Sequence, residues 1–161
     1  MISEQDIWNI LSEVPDPEIP VLNVVEMGIV RAVSVAGPRV EVTITPTYSG
    51  CPAMKTIEED ILEVLREKHI GDYEVKTVLS PAWTTDWMTD AAREKLRQTG
   101  IAPPERESAD KALLLGRVRT IACPRCSSVH THMISQFGST ACKALYKCDD
   151  CLEPFDYFKC I

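Results

Sequence analysis

Apolar residues recur at helical spacing through Ile7, Ile10, Leu11 and Val14, which predicts an amphipathic helix over 3–14. Ser3 with Asp6 three residues on predicts a capping box, with Asp in the place of the usual Glu. Pro15 and Pro17 stop the helix, and Asp16-Pro17-Glu18-Ile19-Pro20 reads as a rigid acidic turn. Residues 21–27 read equally as an irregular segment or a short strand. The period then changes. Residues 29–35 and 39–45, the latter with alternating Val40, Val42 and Ile44, predict two strands joined at Gly37-Pro38 as a hairpin. After a loop over 46–50, residues 52–68 carry the clearest helical pattern. Ile57, Ile61, Leu62 and Leu65 make its apolar stripe, and Glu59, Glu63 and Glu67 occupy a more solvated face. Pro52 suits the first helical position, where its missing N–H costs nothing. A third strand is predicted over 73–79, a loop over 80–83 and a last helix over 89–98, ended by Gly100. Residues 101–110 hold Pro103-Pro104 followed by Glu105-Arg106-Glu107, a composition that suits an extended linker. Residues 111–115 read as a tether or a short helix.

The remaining quarter is dominated by cysteine. Cys123-Pro124-Arg125-Cys126 and Cys148-Asp149-Asp150-Cys151 are two Cys-x-x-Cys turns. Four thiolates on two such turns meet the needs of tetrahedral Zn²⁺. The spacer between them is slightly longer than the usual stretch of about 15–20 residues. A β-rich zinc ribbon from residue 118 onward is the expectation, with Cys123, Cys126, Cys148 and Cys151 as structural ligands. Fe in the same Cys₄ set stays open. Cys142, Cys160, His130 and His132 could each replace a ligand in a mixed site, but His130-Thr131-His132 alternates as a strand does, and Cys-rich quartets close without help. A disulfide scaffold is the poorer reading of the seven cysteines, because the count is odd, four of them form Cys-x-x-Cys pairs, and no export signal is visible.

Charge narrows the partners. The chain has a formal net charge of −7. Residues 118–161 carry five basic and four acidic side chains, against 12 basic and 20 acidic before them. An acidic body with a near-neutral ribbon is a poor match for nucleic acid, whose binding begins with cationic neutralisation of phosphates. No apolar run of about 18 residues suggests a membrane span. The polar, acidic start Met1-Ile2-Ser3-Glu4-Gln5-Asp6 lacks the layout of a signal peptide. A cytoplasmic protein with a protein partner or a metal centre is expected, and a homo-oligomer is left open.

Two further places could carry chemistry. Pro52 at the first helical position would put Cys51 at the N-cap, beside unsatisfied N–H groups that favour thiolate. The plain alternative is a small thiol packed against the hairpin. Asp16 and Glu18 could accept backbone N–H bonds or hold a cation, or could simply end the first helix. No Gly-rich phosphate loop, Ser-His-Asp set or di-iron carboxylate pattern is present in the sequence.

Asp16-Pro17-Glu18-Ile19-Pro20, Met27-Gly28-Ile29-Val30, Thr45-Pro46-Thr47 with Gly50-Cys51-Pro52, and Pro81-Ala82-Trp83-Thr84 resemble, in order, the motifs of the MIP18-like (DUF59) family. Two later stretches are similar to a family of phenylacetate-degradation proteins that joins such a domain to a zinc-ribbon tail. They are Ser135-Gln136-Phe137-Gly138-Ser139-Thr140-Ala141-Cys142-Lys143-Ala144-Leu145-Tyr146 and Cys151-Leu152-Glu153-Pro154-Phe155-Asp156-Tyr157-Phe158-Lys159. The resemblance implies an α+β fold, with a small MIP18-like domain over 1–100 (three strands packed by helices), a linker over 101–117 and a zinc ribbon over 118–161. It implies Cys51 as a reactive or transient-ligand thiol, with Asp16, Glu18 and Thr47 nearby. It also implies a non-catalytic maturation factor for a multicomponent phenylacetyl-CoA epoxidase, assisting assembly of an iron–sulfur or di-iron centre. Its partners would be oxygenase or reductase components and iron–sulfur assembly proteins, with iron or a cluster bound in passing. A structural, non-catalytic oxygenase subunit is the alternative reading, and a thiol–disulfide oxidoreductase is a third.

Overall fold

The computed structural model describes residues 2–104 and 120–159. The chain divides into two compact units, 1–89 and 90–161.

The first unit opens with helix α1, Glu4–Leu11. Its capping box is complete: Ser3 Oγ accepts from the Asp6 backbone N–H, and the Ser3 N–H donates to Asp6 Oδ2 at 2.9 Å. The Ser3 hydroxyl, which donates to Asp6 Oδ2 at 2.7 Å, and then the Ser3 N–H hold the exposed Asp6 carboxyl below the usual carboxylate range. The helix ends earlier than the apolar period suggests, because Ser12 caps it and Val14 is already in a turn. Residues 15–23 then fold back on themselves. Pro15 bridges Asn23, and the Val24 N–H donates to Val14 O. Asn23 Oδ1 accepts from the N–H groups of Val25 and Glu26, so this segment is a capped turn and not a strand.

Strands β1, Val30–Ala36, and β2, Arg39–Ile44, form the expected antiparallel hairpin, with Gly37 at φ 63° in its turn. Helix α2, Ala53–Glu67, then crosses over to β3, Asp72–Thr77, which lies parallel to β2. The sheet order is β1-β2-β3, so β2 is central, and its Val40, Val42 and Ile44 are fully buried. Ile57, Ile61 and Leu65 of α2 and Ile7 and Leu11 of α1 complete the core. On the other face, Arg39–Glu74 and Lys76–Glu41 pair across the strands. Such exposed pairs contribute little to stability.

Two of the family-like motifs meet here. Trp83 Nε1 donates to Met27 O at 2.9 Å from a buried ring. Gly28, at φ +72°, faces Trp87 of the 3₁₀ turn Thr85–Trp87, and a Cβ at Gly28 would stand 2.6 Å from Trp87 O. Only glycine meets both demands.

The second unit begins with helix α3, Asp90–Gln98, and continues into a four-stranded sheet. Strands β4, Ile101–Ala102, β5, Thr131–Ser135, β6, Lys143–Cys148, and β7, Pro154–Phe158, have the order β4-β7-β6-β5. Residues 101–102, expected in a linker, are instead a strand paired in parallel with Asp156 and Tyr157 of β7. Backbone pairing and the burial of Ala102 outweigh the Pro-rich signal that follows. The rest of the expected linker from residue 105, the 111–115 tether and the ribbon's start at 118 lie outside the described residues, as does Cys160. The core of this unit is thin: Ala102, Ile121, Ala144, Phe155 and Tyr157 pack with Cys123 and Cys148. Tyr146 stacks on Phe155 and meets Tyr157 edge-on.

Asp16 generates a testable expectation. It is buried, and its Oδ1 accepts the N–H groups of Glu18 and Ile19, each at 2.8 Å. Asp16→Ala leaves those donors without this acceptor and should cost about 1–3 kcal/mol. Asp16→Asn keeps one acceptor oxygen and should cost less. Urea denaturation of the three proteins checks the order, and equal midpoints would remove the structural role.

Candidate metal centre and thiol site

The two Cys-x-x-Cys turns are near copies of each other. In each, the first cysteine's N–H donates to the carbonyl five residues on: Cys123 to Ser128 at 2.8 Å and Cys148 to Glu153 at 3.0 Å. In each, the residue after the second cysteine is left-handed, with Ser127 at φ 62° and Leu152 at φ 64°. That conformation is costly for a residue with a side chain, and here it curls both turns so that their sulfurs face inward. Neither position is glycine, so sequence reading had no cue for this bend.

The four sulfurs converge. All lie within 4.8 Å of one another, with Cys123 Sγ 3.7 Å from Cys151 Sγ and Cys126 Sγ 3.6 Å from Cys148 Sγ. Tetrahedral coordination at about 2.3 Å places sulfurs about 3.8 Å apart. A disulfide would need about 2.05 Å. The spacing therefore fits four thiolates around one Zn²⁺-sized cation, and these residues could hold a metal. Cys123 and Cys148 are buried, Cys151 is half-buried and Cys126 is exposed.

The thiols also compete for charge. Backbone N–H groups of Cys151 and then Asp150 help to bring the Cys148 thiol down to about 7. Cys151 receives a favourable bond from the Glu153 N–H, yet burial and the other three thiols outweigh it and push Cys151 up to about 12. Cys126 is likewise raised: the Ser128 N–H favours its thiolate, but burial and its cysteine neighbours prevail. A divalent cation relieves this like-charge conflict.

The other candidate ligands are placed elsewhere. His130 Nδ1 lies 3.1 Å from Asp150 Oδ2, and His132 Nδ1 lies 2.8 Å from Asp149 Oδ1. Both imidazoles thus face the acidic pair between the cysteines. Ser128 Oγ also donates to Asp150, and these two partners hold the Asp150 carboxyl below its usual range. Cys142 is buried, with its Sγ 3.0 Å from Thr140 Oγ1. It does not belong to the sulfur cluster. His132 lies in β5 and His130 just before it, and the sequence alone carries no signal for the two aspartates as their partners.

Cys51 requires a correction. Helix α2 begins at Ala53 with Pro52 as its cap and no side-chain cap bond. Cys51 stands one residue before the cap, in a turn where its N–H donates to Tyr48 O and Gly50 adopts φ 80°. Its sulfur is half-buried, and its one side-chain hydrogen-bond partner among the described residues is Thr47, whose Oγ1 lies 4.0 Å away. Thr47 thus lies beside Cys51. No hydrogen bond links Cys51 to Asp16 or Glu18; Asp16 turns its Oδ1 onto its own turn. Thr45, two residues before Thr47, is buried, and its Oγ1 has no hydrogen-bond partner among the described residues. Sequence reading did not single it out.

The metal centre makes two predictions. Purified protein should contain one Zn²⁺ per chain, and Cys148→Ser should lose it together with the fold of the ribbon. Leu152→Val, a β-branched residue at φ 64°, should weaken metal retention while leaving all four sulfurs in place, and chelator competition checks this. The second prediction concerns protons. Cys126 and Cys151 hold theirs at neutral pH in the metal-free state, so metal uptake must release at least about two protons. Affinity should therefore fall as pH falls. Calorimetry in buffers of different ionisation enthalpy reads the count, and release of fewer than one proton would contradict the four-thiolate site.

Comparison with known proteins matches two family models along the chain. Residues 4–79 match the family model described as iron–sulfur cluster assembly protein, and residues 107–159 match the PaaD zinc beta ribbon domain. A protein of Escherichia coli (strain K12), provisionally named as one of the subunits of 1,2-phenylacetyl-CoA epoxidase, is 54% identical, with 97% of this chain and 92% of that protein covered. An Fe–S protein maturation auxiliary factor of Porphyromonas gingivalis is 38% identical over 58% of this chain and 90% of its own. A crystal structure of a DUF59 domain from Bacillus anthracis superposes with a TM-score of 0.54 at 29% identity, covering 58% of this chain and 90% of that one. On the E. coli identity, over almost the whole of both chains, the protein belongs to the PaaD family, in which an iron–sulfur cluster assembly domain precedes a zinc beta ribbon.

Proposed function

We propose that the chain is a maturation factor for a phenylacetyl-CoA epoxidase, assisting the assembly of an iron–sulfur or di-iron centre in an oxygenase or reductase component. The observation that carries this reading is the pairing of two likenesses in one chain. Its first unit is shared with Fe–S maturation auxiliary factors, and its full length is shared with a protein named as part of the epoxidase.

In this reading Cys51 is the working thiol. It is half-buried, close to Thr47, and free of any disulfide, so it can ligate iron or a cluster in transit. The iron is cargo and leaves with the client. Zn²⁺ on Cys123, Cys126, Cys148 and Cys151 is structural: when bound it cross-links two turns that the thin core of the second unit does not hold alone. The ribbon then serves as a rigid docking module.

Cells lacking this chain should make epoxidase components that are poorly active and incompletely metallated. Components matured in its presence should stay active after it is removed. Full metal content without it would end the maturation reading. A stoichiometric requirement in a fully metallated mixture would establish a structural role in the complex instead. Cys51→Ser should fold, since Ser keeps the size and polarity of a half-buried thiol, while client metal content falls. Cys51→Ala should cost at most about 1–2 kcal/mol. Thermal melts together with iron analysis of the client separate loss of chemistry from loss of fold. Wild-type client metallation by the Ser variant would reduce Cys51 to a packing residue.

A further inference from the structure

A cavity of about 540 Å³ lies within the second unit, between α3, the chain around β4 and the first cysteine turn. Its size falls in the range of ligand sites, about 300–1,000 Å³. Arg93 and Arg97, one helical turn apart on α3, line it together with Pro103, Ile121 and Pro124. Arg97 also borders an adjoining recess with Arg125, whose Nη2 reaches over Gly100. Arg125 has no ion pair among the described residues, and Arg97 has only the exposed Glu94 of its own helix, at 3.0 Å.

Charge is unevenly distributed along the chain. Residues 1–89 carry six basic and fifteen acidic side chains, whereas residues 90–161 carry eleven basic and nine acidic ones. The arginine-lined cavity therefore sits in the half that does not repel anions. Lys95 and Arg97 already supply cations to the last turn of α3, so Arg125 is surplus to the needs of the helix end.

We propose that this cavity and the adjoining recess together receive an acidic segment of a protein partner, with carboxylates on Arg97 and Arg125 and a neighbouring apolar side chain against Ile121 and the prolines. Guanidinium forks match carboxylates in two-point bonds. Dense phosphate charge suits the site less well. Phosphates favour helix N-termini and backbone N–H cradles, whereas Arg97 stands at a helix C-terminus, where the dipole is negative. A singly charged carboxylate beside an apolar wall meets both halves of the lining. Cys123 also lines the cavity, so a seated segment would cover one wall of the metal centre.

The test is an NMR titration of the isotope-labelled, zinc-loaded full chain. The probe is a short capped peptide of alternating glutamate and leucine, with a glutamine–leucine peptide and inorganic phosphate as separate arms. Saturable shifts are expected at the Arg97 and Arg125 side chains and at the Ile121 amide. The double change Arg97→Glu, Arg125→Glu should weaken binding at least about tenfold. Lys95→Glu makes half that charge change on α3, outside the cavity lining, and should alter affinity by less than about twofold. If the double variant misfolds, Arg125→Gln alone at that exposed side chain carries the test and should weaken binding about threefold. The proposal is overturned by non-saturable shifts, by equal binding of the glutamine peptide, by variants that bind as the wild type does, or by phosphate binding ahead of the acidic peptide. The readout is direct binding to the purified chain, so its failure leaves the maturation reading untouched.

Discussion

The closeness of four sulfurs, which would repel one another as thiolates, is the constraint on which the second unit rests. Sulfurs held within 4.8 Å of one another cannot all ionise without a counterion, and burial with the neighbouring thiols holds Cys126 and Cys151 above the ordinary thiol range. Little else is available to hold the turns in place. The second unit's core joins Ala102, Ile121, Ala144 and aromatic rings with two of the cysteines themselves, so residues that could hold a metal also serve as core. Two left-handed residues, Ser127 and Leu152, sit where strain must be sustained by the surroundings. A cation joining the turns would supply the compensation.

The first unit follows a different logic. Its stability comes from an ordinary apolar core on a central strand, β2, and its special residues are concentrated in the connections. Asp16 organises the turn after α1, and Gly28 admits Trp87, while Trp83 anchors to Met27. Each holds a loop in one shape. The turn carrying Cys51 emerges from the buried end of β2, at Ile44 and Thr45, and runs directly into α2. A thiol placed between a central strand and a long helix is held by rigid elements on both sides.

Much of this was legible in the residues. The α2 pattern, the β1–β2 hairpin, the capping box at Ser3 and the four-cysteine set each rest on local rules that tertiary context did not override. Three features were not legible, for separable reasons. Residues 101–102 form a strand because β7, more than fifty residues away in sequence, offers them a hydrogen-bonding edge, and no local pattern reports that. Cys51 falls one residue short of capping α2 because the turn at Gly50 sets the chain direction before Pro52 does. Asp149 and Asp150 look like simple turn residues until β5 brings His132 and His130 against them. For the strand and the aspartates the missing information is long-range pairing; for Cys51 it is the geometry of one turn.

Strand β4 also redraws where the second unit begins. It lies at the edge of the sheet and shields the outer edge of β7, and it is continuous with α3 through Gly100. A boundary drawn at residue 107, where the ribbon match starts, would cut away both elements. The remaining fragment would show a bare, aromatic edge strand containing Phe155, Tyr157 and Phe158. Such an edge invites pairing with other chains. The ribbon as a folding unit therefore extends upstream of the ribbon as a sequence family, and excising it by sequence similarity alone would convert a covered edge into a sticky one.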